Sequence, residues 1–246
     1  KSVVYATAVC CRGFGKSYVG GASAVKAAHE LMELDSSVPN KNIYITAPSY
    51  SQATDIYHPL LVYQLGLGSY AISHSKDTGR IILPRNVEIR LLSYEALDRV
   101  RGTGCYFAIN DEVRDWTKGQ GFRSAWEGIL QPCITTRWGP KKAAYYKAPS
   151  RGRGLTISTP RGYDYLYDLY NMPERDSDYR SYQFDYTKAP LLDPVELEKI
   201  RHLIDPLTWA REYRASFEES GNSVFYCFKR KIHVRNDLPY FVLGGT

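Results

Sequence analysis

Long apolar runs are missing from this chain of 246 residues. None reaches the roughly 18 residues that a membrane-spanning helix requires, so no such helix is expected. The amino terminus carries one lysine and then a strand-like run without a small-residue cleavage site, so no secretory signal is read there. Cysteine is sparse and odd in number: Cys10, Cys11, Cys105, Cys133 and Cys227. None stands in a C-x-x-C pair, and they read as small, buried, reduced side chains of a cytosolic protein. The five histidines are scattered without H-E-x-x-H spacing, so a zinc site is not expected. There is no internal repeat and no low-complexity segment. A mass of 28.0 kDa suits one α/β domain with an appendage, burying roughly 70–75% of its unfolded-chain surface. The net charge of +6 and pI near 8.9 permit a polyanionic partner.

The stretch that organises the rest lies near the start. Val3 to Val9 is a β-branched, apolar run, and it enters Cys10-Cys11-Arg12-Gly13-Phe14-Gly15-Lys16-Ser17. A buried strand, a glycine-bearing loop and a helix form a phosphate-binding loop, because the loop N–H groups and the helix N-terminus both favour an anion. Lys16 can reach the β- and γ-phosphates and Ser17 can hold Mg²⁺. The strict pattern G-x-x-x-x-G-K-[ST] has glycine where this chain has Cys10, so the loop needs a second motif. Cys105-Tyr106-Phe107-Ala108-Ile109-Asn110-Asp111-Glu112 supplies it, an apolar run ending in adjacent carboxylates. In an ATPase, Asp111 would serve the Mg²⁺ shell and Glu112 would polarise the attacking water.

Between and beyond these motifs the chain alternates. A helix is expected from Lys16 to about Leu34, a strand at 43–47, and a helix capped by Ser49 or Ser51 that runs to about Leu65. Residues 79–92 read as a hairpin turning through Pro84-Arg85-Asn86. After Glu112 a helix from about Phe122 to Leu130 is expected to stop before Pro132. Further strands are expected at 154–158 and 179–186, with a tyrosine-rich helix at 163–170 between them. Asp193-Pro194 and Asp205-Pro206 each start a helix with a capping acid and a first-turn proline, the second running to about Phe217. Residues 218–223 read as a linker, and strands are expected at 224–228 and 240–243.

Two further features narrow the class. Ile157-Ser158-Thr159-Pro160-Arg161-Gly162 places small hydroxyls at a strand end, where they could sense the γ-phosphate. Residues 128–162 contain no acid, yet carry Arg137, Lys141, Lys142, Lys147, Arg151, Arg153 and Arg161 among Trp138, Tyr145 and Tyr146, with Tyr163 next in sequence. Cations neutralise phosphates and aromatic faces pack on sugars or bases, so this segment is a candidate DNA contact.

In the order and spacing of these pieces the chain resembles the ATPase domain of large terminase subunits, the DNA-packaging motors of tailed bacteriophages. Arg12 to Ser17 is similar to that family's R-x-x-G-K-[ST] loop, in which the first glycine is missing. Ile45 to Ser49, Arg101-Gly102 ahead of Asp111-Glu112, and Ser158-Thr159-Pro160 resemble its other motifs, and Asp193 to Phe225 resembles its lid and linker. The resemblance implies a RecA-like (ASCE) P-loop NTPase fold, a mainly parallel sheet flanked by helices. The core would span 1–178, a lid 179–219, and a linker with the first strand of a nuclease domain 220–246. The strand at 155–158 should lie between the phosphate-loop strand and the acidic strand, and the lid should pack beside the nucleotide.

The resemblance also implies roles. Arg12, Gly13, Phe14, Gly15, Lys16 and Ser17 would bind ATP, and Ser17 and Asp111 would hold Mg²⁺. Glu112 would be the catalytic glutamate, Arg12 a γ-phosphate contact, and Arg101 an arginine finger for a neighbouring subunit's ATP. Ser158, Thr159 and Pro160 would couple hydrolysis to movement. Arg137, Lys141, Lys142, Lys147, Arg151 and Arg153 would meet double-stranded DNA. The implied partners are a portal protein, a small terminase subunit and copies of the chain itself, in a ring on the procapsid, five in number, in the bacterial cytoplasm; a monomer is possible in isolation. An adenine-binding glutamine motif is expected before Lys1 and a nuclease after Thr246, so DNA cutting is expected of the intact protein only. A helicase-like ATPase and a nucleotide-dependent binding switch remain open alternatives.

Overall fold

The computed structural model describes residues 3–116 and 121–218; the strands and linker expected beyond 218 lie outside them. Among the described residues, eight strands form one sheet: β1 (Tyr5–Cys10), β2 (Asn42–Ala47), β3 (Ser73–Ser75), β4 (Arg80–Leu83), β5 (Val87–Ser93), β6 (Phe107–Asp111), β7 (Arg153–Ser158) and β8 (Tyr179–Phe184). The spatial order is β3-β4-β5-β2-β6-β7-β1-β8. Every pair from β5 to β8 is parallel, and only the β3–β4 and β4–β5 pairs are antiparallel. The strand at 153–158 thus lies between the phosphate-loop strand and the acidic strand, as expected. The hairpin at 79–92 forms, turning through Arg85 and Asn86 at φ +59 and +61. Its second strand is a member of the parallel sheet, while β4 and β3 extend the edge. The strand expected to open the lid, β8, is hydrogen-bonded along the whole of β1, so the segment from 179 begins inside the sheet.

Alternation along the strands divides the core into two layers. Ile43, Ile45, Phe107 and Ile109 face α1 (Lys16–Met32) and the helical stretch α2 (50–64). Tyr5, Val9, Tyr44 and Ala108 face α3 (121–138) and α5 (Tyr165–Tyr170). Small residues on α1 bring it close to the sheet. At Gly20 a Cβ would stand 3.0 Å from the Tyr57 hydroxyl and 3.3 Å from Ile109. Ser49 caps α2, its Oγ accepting from the Gln52 N–H at 3.2 Å. Two turns of α2, Ala53–Tyr57 and Leu60–Gln64, are π-helical. A row of buried polar side chains, Thr7, Thr156, Asn110 and Thr46, crosses four adjacent strands in register.

Two expected helix ends differ. The helix after Glu112 passes through Pro132 and continues to Trp138. A proline lacks the N–H that would bond the carbonyl four residues back. Here the preceding turn, Trp126–Leu130, is widened to π geometry, and the Gly128 carbonyl accepts from Arg101 Nη1 at 3.1 Å instead. A short helix, α4 (Pro140–Tyr145), follows. In the segment expected to form a lid, α6 (Pro194–Leu203) and α7 (Pro206–Glu212) start at capping aspartates as expected. The second stops at Glu212, and the chain turns through Ala215 at φ +50.

Candidate nucleotide site

The carboxy-terminal ends of β1, β6 and β7 meet at one edge of the sheet. Their registers place Val9 beside Ser158 and Asp111 beside Ile157. Cys10 stays within β1, paired with Phe184 of β8, so the position without glycine serves as strand rather than loop. Burial pushes the Cys10 thiol up to about 12, against the pull of Lys16, and it is a neutral packing group. The loop then turns through Gly13 and Gly15 at φ +76 and +92, backbone that residues with a Cβ rarely adopt. A Cβ on Gly13 would also stand 2.7 Å from Leu192. Phe14 stacks on Phe184, centroids 4.7 Å apart.

Lys16 is the hub. Its Nζ donates to the Cys11 carbonyl at 3.2 Å and to Thr159 Oγ1 at 3.0 Å, and it lies 3.2 Å from Glu112 Oε1. Ser17 Oγ donates to Asp111 Oδ2 at 3.2 Å. A hydroxyl and a carboxylate are thus already adjacent at the place where a Mg²⁺ would need both. The second oxygen of Glu112 lies 3.5 Å from Ser158 Oγ and from the Thr159 N–H. The Glu112 N–H is bonded to the Ile157 carbonyl at 2.9 Å, clamping the acid to β7. One cluster therefore joins Lys16, Ser17, Asp111, Glu112, Ser158 and Thr159, and Pro160, next in sequence, is buried.

Asp111 is 3% exposed. Burial raises its pKa; hydrogen bonds from Tyr57 and Ser17 and the charge of Lys16 oppose this, while Glu112 reinforces it. The Tyr57 hydroxyl donates to Asp111 Oδ2 at 2.7 Å. Tyr57 is fully buried, and burial together with Asp111 holds its phenol protonated, a donor. Trp116 Nε1 donates to the Asp111 carbonyl at 3.1 Å. Sequence reasoning missed both aromatics, as well as Arg114 and Glu212. Arg114 alone left a trace, a cation two residues after the acidic pair.

Other expected site residues stand apart. Arg12 is exposed beside the loop, its N–H donating to the Glu212 carbonyl at 2.6 Å. Arg101 precedes the amino-terminal end of β6, whereas Glu112 follows the other end. There Arg101 is bonded to Asp98 at 2.9 Å and to the Gly128 carbonyl, so one chain does not bring it to its own Lys16. The basic segment also lies toward the amino-terminal ends of the strands. Arg137, Lys141, Lys142 and Lys147 are exposed there, with Tyr145 80% exposed among them. Arg151 pairs with Asp178 at 2.5 Å. Arg153 pairs with Glu30 of α1 and packs over Tyr106 and Phe107.

Among the described residues, no helix is long and apolar enough to cross a membrane, and the four cysteines there are free and buried. A family model described as the large terminase subunit, T4-like-virus type, N-terminal, matches residues 9–232. No curated protein matches the chain. Among solved structures, the chain is similar to the large terminase ATPase domain of Thermus phage P74-26, with 21% identity, a TM-score of 0.65, and coverage of 88% of this chain and 90% of that one. It is also similar to the large terminase of a second thermophilic bacteriophage, with 13% identity and a TM-score of 0.63, covering 88% of this chain and 48% of that one. A structure of that second terminase in complex with ADP is 12% identical with a TM-score of 0.57, covering 88% and 48%.

Proposed function

The chain belongs to the T4-like-virus type of large terminase N-terminal domains, and from that membership we propose that it hydrolyses ATP to drive double-stranded DNA into a procapsid. Its fold is that of the phage large terminase ATPase domains, and it spans about half the length of the second thermophilic phage's terminase. The observation that carries the reading is the cluster of Lys16, Ser17, Asp111 and Glu112, each within 3.2 Å of another member.

Lys16 exchanges its Cys11, Thr159 and Glu112 contacts for the β- and γ-phosphates. The loop N–H groups at Gly13 and Gly15 would bind the same oxygens. Ser17 and Asp111 would hold Mg²⁺, whose charge offsets that of the phosphates. Glu112 orients the attacking water and takes its proton. Ser158 and Thr159, bonded to Glu112 and Lys16, feel the loss of the γ-phosphate first, which suits them to coupling. Arg101, held at the other end of β6, acts on a neighbouring copy's ATP within a ring. The portal protein and the small terminase subunit are the partners proposed for that ring, in the bacterial cytoplasm, and DNA cutting is assigned to the intact protein. Arg137, Lys141, Lys142 and Lys147, all exposed, are the DNA contacts proposed.

Mixing Arg101→Ala with Glu112→Ala chains tests this in one assay. Each should be nearly inactive alone, and the mixture should recover Mg·ATP turnover. No recovery, with wild-type activity strictly proportional to concentration, would place the whole site in one chain. Neutralising Lys141, Lys142 and Lys147 together should flatten the salt dependence of DNA affinity by about three contacts' worth; an unchanged slope would turn that face away from DNA.

A further inference from the structure

Arg114 stands two residues past Glu112 and has no role in the site described so far. Glu112 takes left-handed backbone, φ +46, and the chain enters the short turn Val113–Asp115. This folds Arg114 back beside the acid. Its Nη1 donates to Glu212 Oε1 at 2.5 Å. Its Nε lies 3.8 Å from Glu112 Oε2 and 3.7 Å from Asp115 Oδ2. Its backbone N–H donates to Ser158 Oγ at 3.3 Å. The Arg114 and Glu212 side chains are only 20% and 18% exposed, so salt and water screen the pair weakly. Burial works against the guanidinium's charge, but the Glu212, Glu112 and Asp115 carboxylates outweigh it. Glu212 ends α7 of the lid, and its own carbonyl accepts from the Arg12 N–H. One lid residue thus grips the phosphate loop by its backbone and Arg114 by its side chain.

Glu112 therefore has a cation on each oxygen, Lys16 at Oε1 and Arg114 at Oε2. The two are not equivalent. A lysine ammonium is a point charge on a flexible stem, whereas the planar arginine fork is held in one orientation by its carboxylate partner. Nucleotide phosphates draw Lys16 away, and the cation left on Glu112 is then Arg114. We infer that Arg114 is the positioning residue for Glu112, fixing one carboxylate oxygen so that the other faces the water, and that Glu212 fixes Arg114 and so ties the catalytic acid to the lid. This rests on the reading of Glu112 as the acid that activates water.

The test compares Arg114→Ala, Arg114→Lys, Glu212→Gln and the double variant R114A/E212Q with wild type. Mg·ATP turnover is measured at a protein concentration where wild type is active. Arg114→Ala should lower kcat roughly 30- to 100-fold with KM within about threefold, as expected for a misplaced acid. Arg114→Lys should recover part of that loss. Glu212→Gln should lose less, and the double variant should be no worse than Arg114→Ala alone, because both act through one guanidinium. A wild-type kcat in Arg114→Ala, or losses that multiply in the double variant, would overturn the proposal. Glu112→Gln run beside them separates the two readings. If it still turns over, the role of Glu112 fails; if it is inactive while Arg114→Ala is normal, only the positioning role fails. Hydrogen exchange needs no turnover. Adding Mg·ATP-γ-S should change the protection of residues 206–212 in wild type but not in Arg114→Ala, and equal changes in both would overturn the link to the lid.

Discussion

Glu88 in β5 and Asp111 at the end of β6 are carboxylates buried in the same sheet, 9% and 3% exposed, and their surroundings differ in kind. Glu88 accepts from Arg80 Nε at 2.5 Å and Arg90 Nη2 at 2.9 Å. Burial would raise its pKa, but the two guanidiniums prevail and hold it below the usual range. Asp111 meets the neutral hydroxyls of Tyr57 and Ser17, with Lys16 committed to Glu112, and burial prevails. A sheet able to pair one buried charge with two arginines leaves the other under-compensated. That is the arrangement expected where a cation is to arrive, because a carboxylate already neutralised by arginine would have nothing to offer a metal.

The sharpest way to break the comparison is to remove each charge while keeping its shape. Asp111→Asn should lower Mg·ATP turnover by at least about 100-fold, the scale of a lost metal contact. The same change should stabilise the nucleotide-free chain. Because the folded pKa of Asp111 lies above its ordinary value, its ionised form costs stability that grows as pH rises past the ordinary carboxylate range. The gain from asparagine, read as a rise in Tm, should be present at neutral pH and vanish in acid. A loss of Tm at neutral pH would show that Asp111 is as well paired as Glu88.

Glu88→Gln should do the reverse, leaving turnover untouched and lowering stability. Losing two charge-assisted bonds while Arg90 stays partly buried should cost about 2 kcal/mol at neutral pH, or roughly 4–8 °C in Tm. The sign with pH is opposite too. A depressed folded pKa gives stability that is present above the unfolded value and lost as pH falls through the folded one. The difference between wild type and variant should therefore close as the solution is acidified, and a difference independent of pH would mean that shape, not charge, is lost.

What sequence could show of this contrast depended on distance along the chain. The phosphate loop and the acidic strand were legible because each is a contiguous run whose neighbours in space are its neighbours in sequence. The placement of β7 between them followed from the family resemblance and matches the strand order. Arg153 was grouped with the basic segment because no acid is near it in sequence; its partner Glu30 lies 123 positions away on α1. Pro132 read as a stop because the carbonyl its ring leaves free could not be foreseen to meet Arg101, from a different element. Tyr57 lies mid-helix, where an aromatic at core spacing is indistinguishable from packing.

Tyr57 gives the finest test of the comparison. Phenylalanine keeps the ring against Gly20 and removes only the hydroxyl that donates to Asp111. The carboxylate then relies on Ser17, a group a metal would also claim. Tyr57→Phe should raise the Mg²⁺ concentration for half-maximal turnover roughly three- to tenfold, the net worth of one ordinary hydrogen bond, with kcat at saturating Mg²⁺ close to wild type. An unchanged Mg²⁺ requirement would make Tyr57 a packing residue. A lowered one would mean that its hydroxyl competes with the metal for Asp111 instead of orienting the carboxylate toward it, reversing the sense of the bond while leaving the contrast with Glu88 intact.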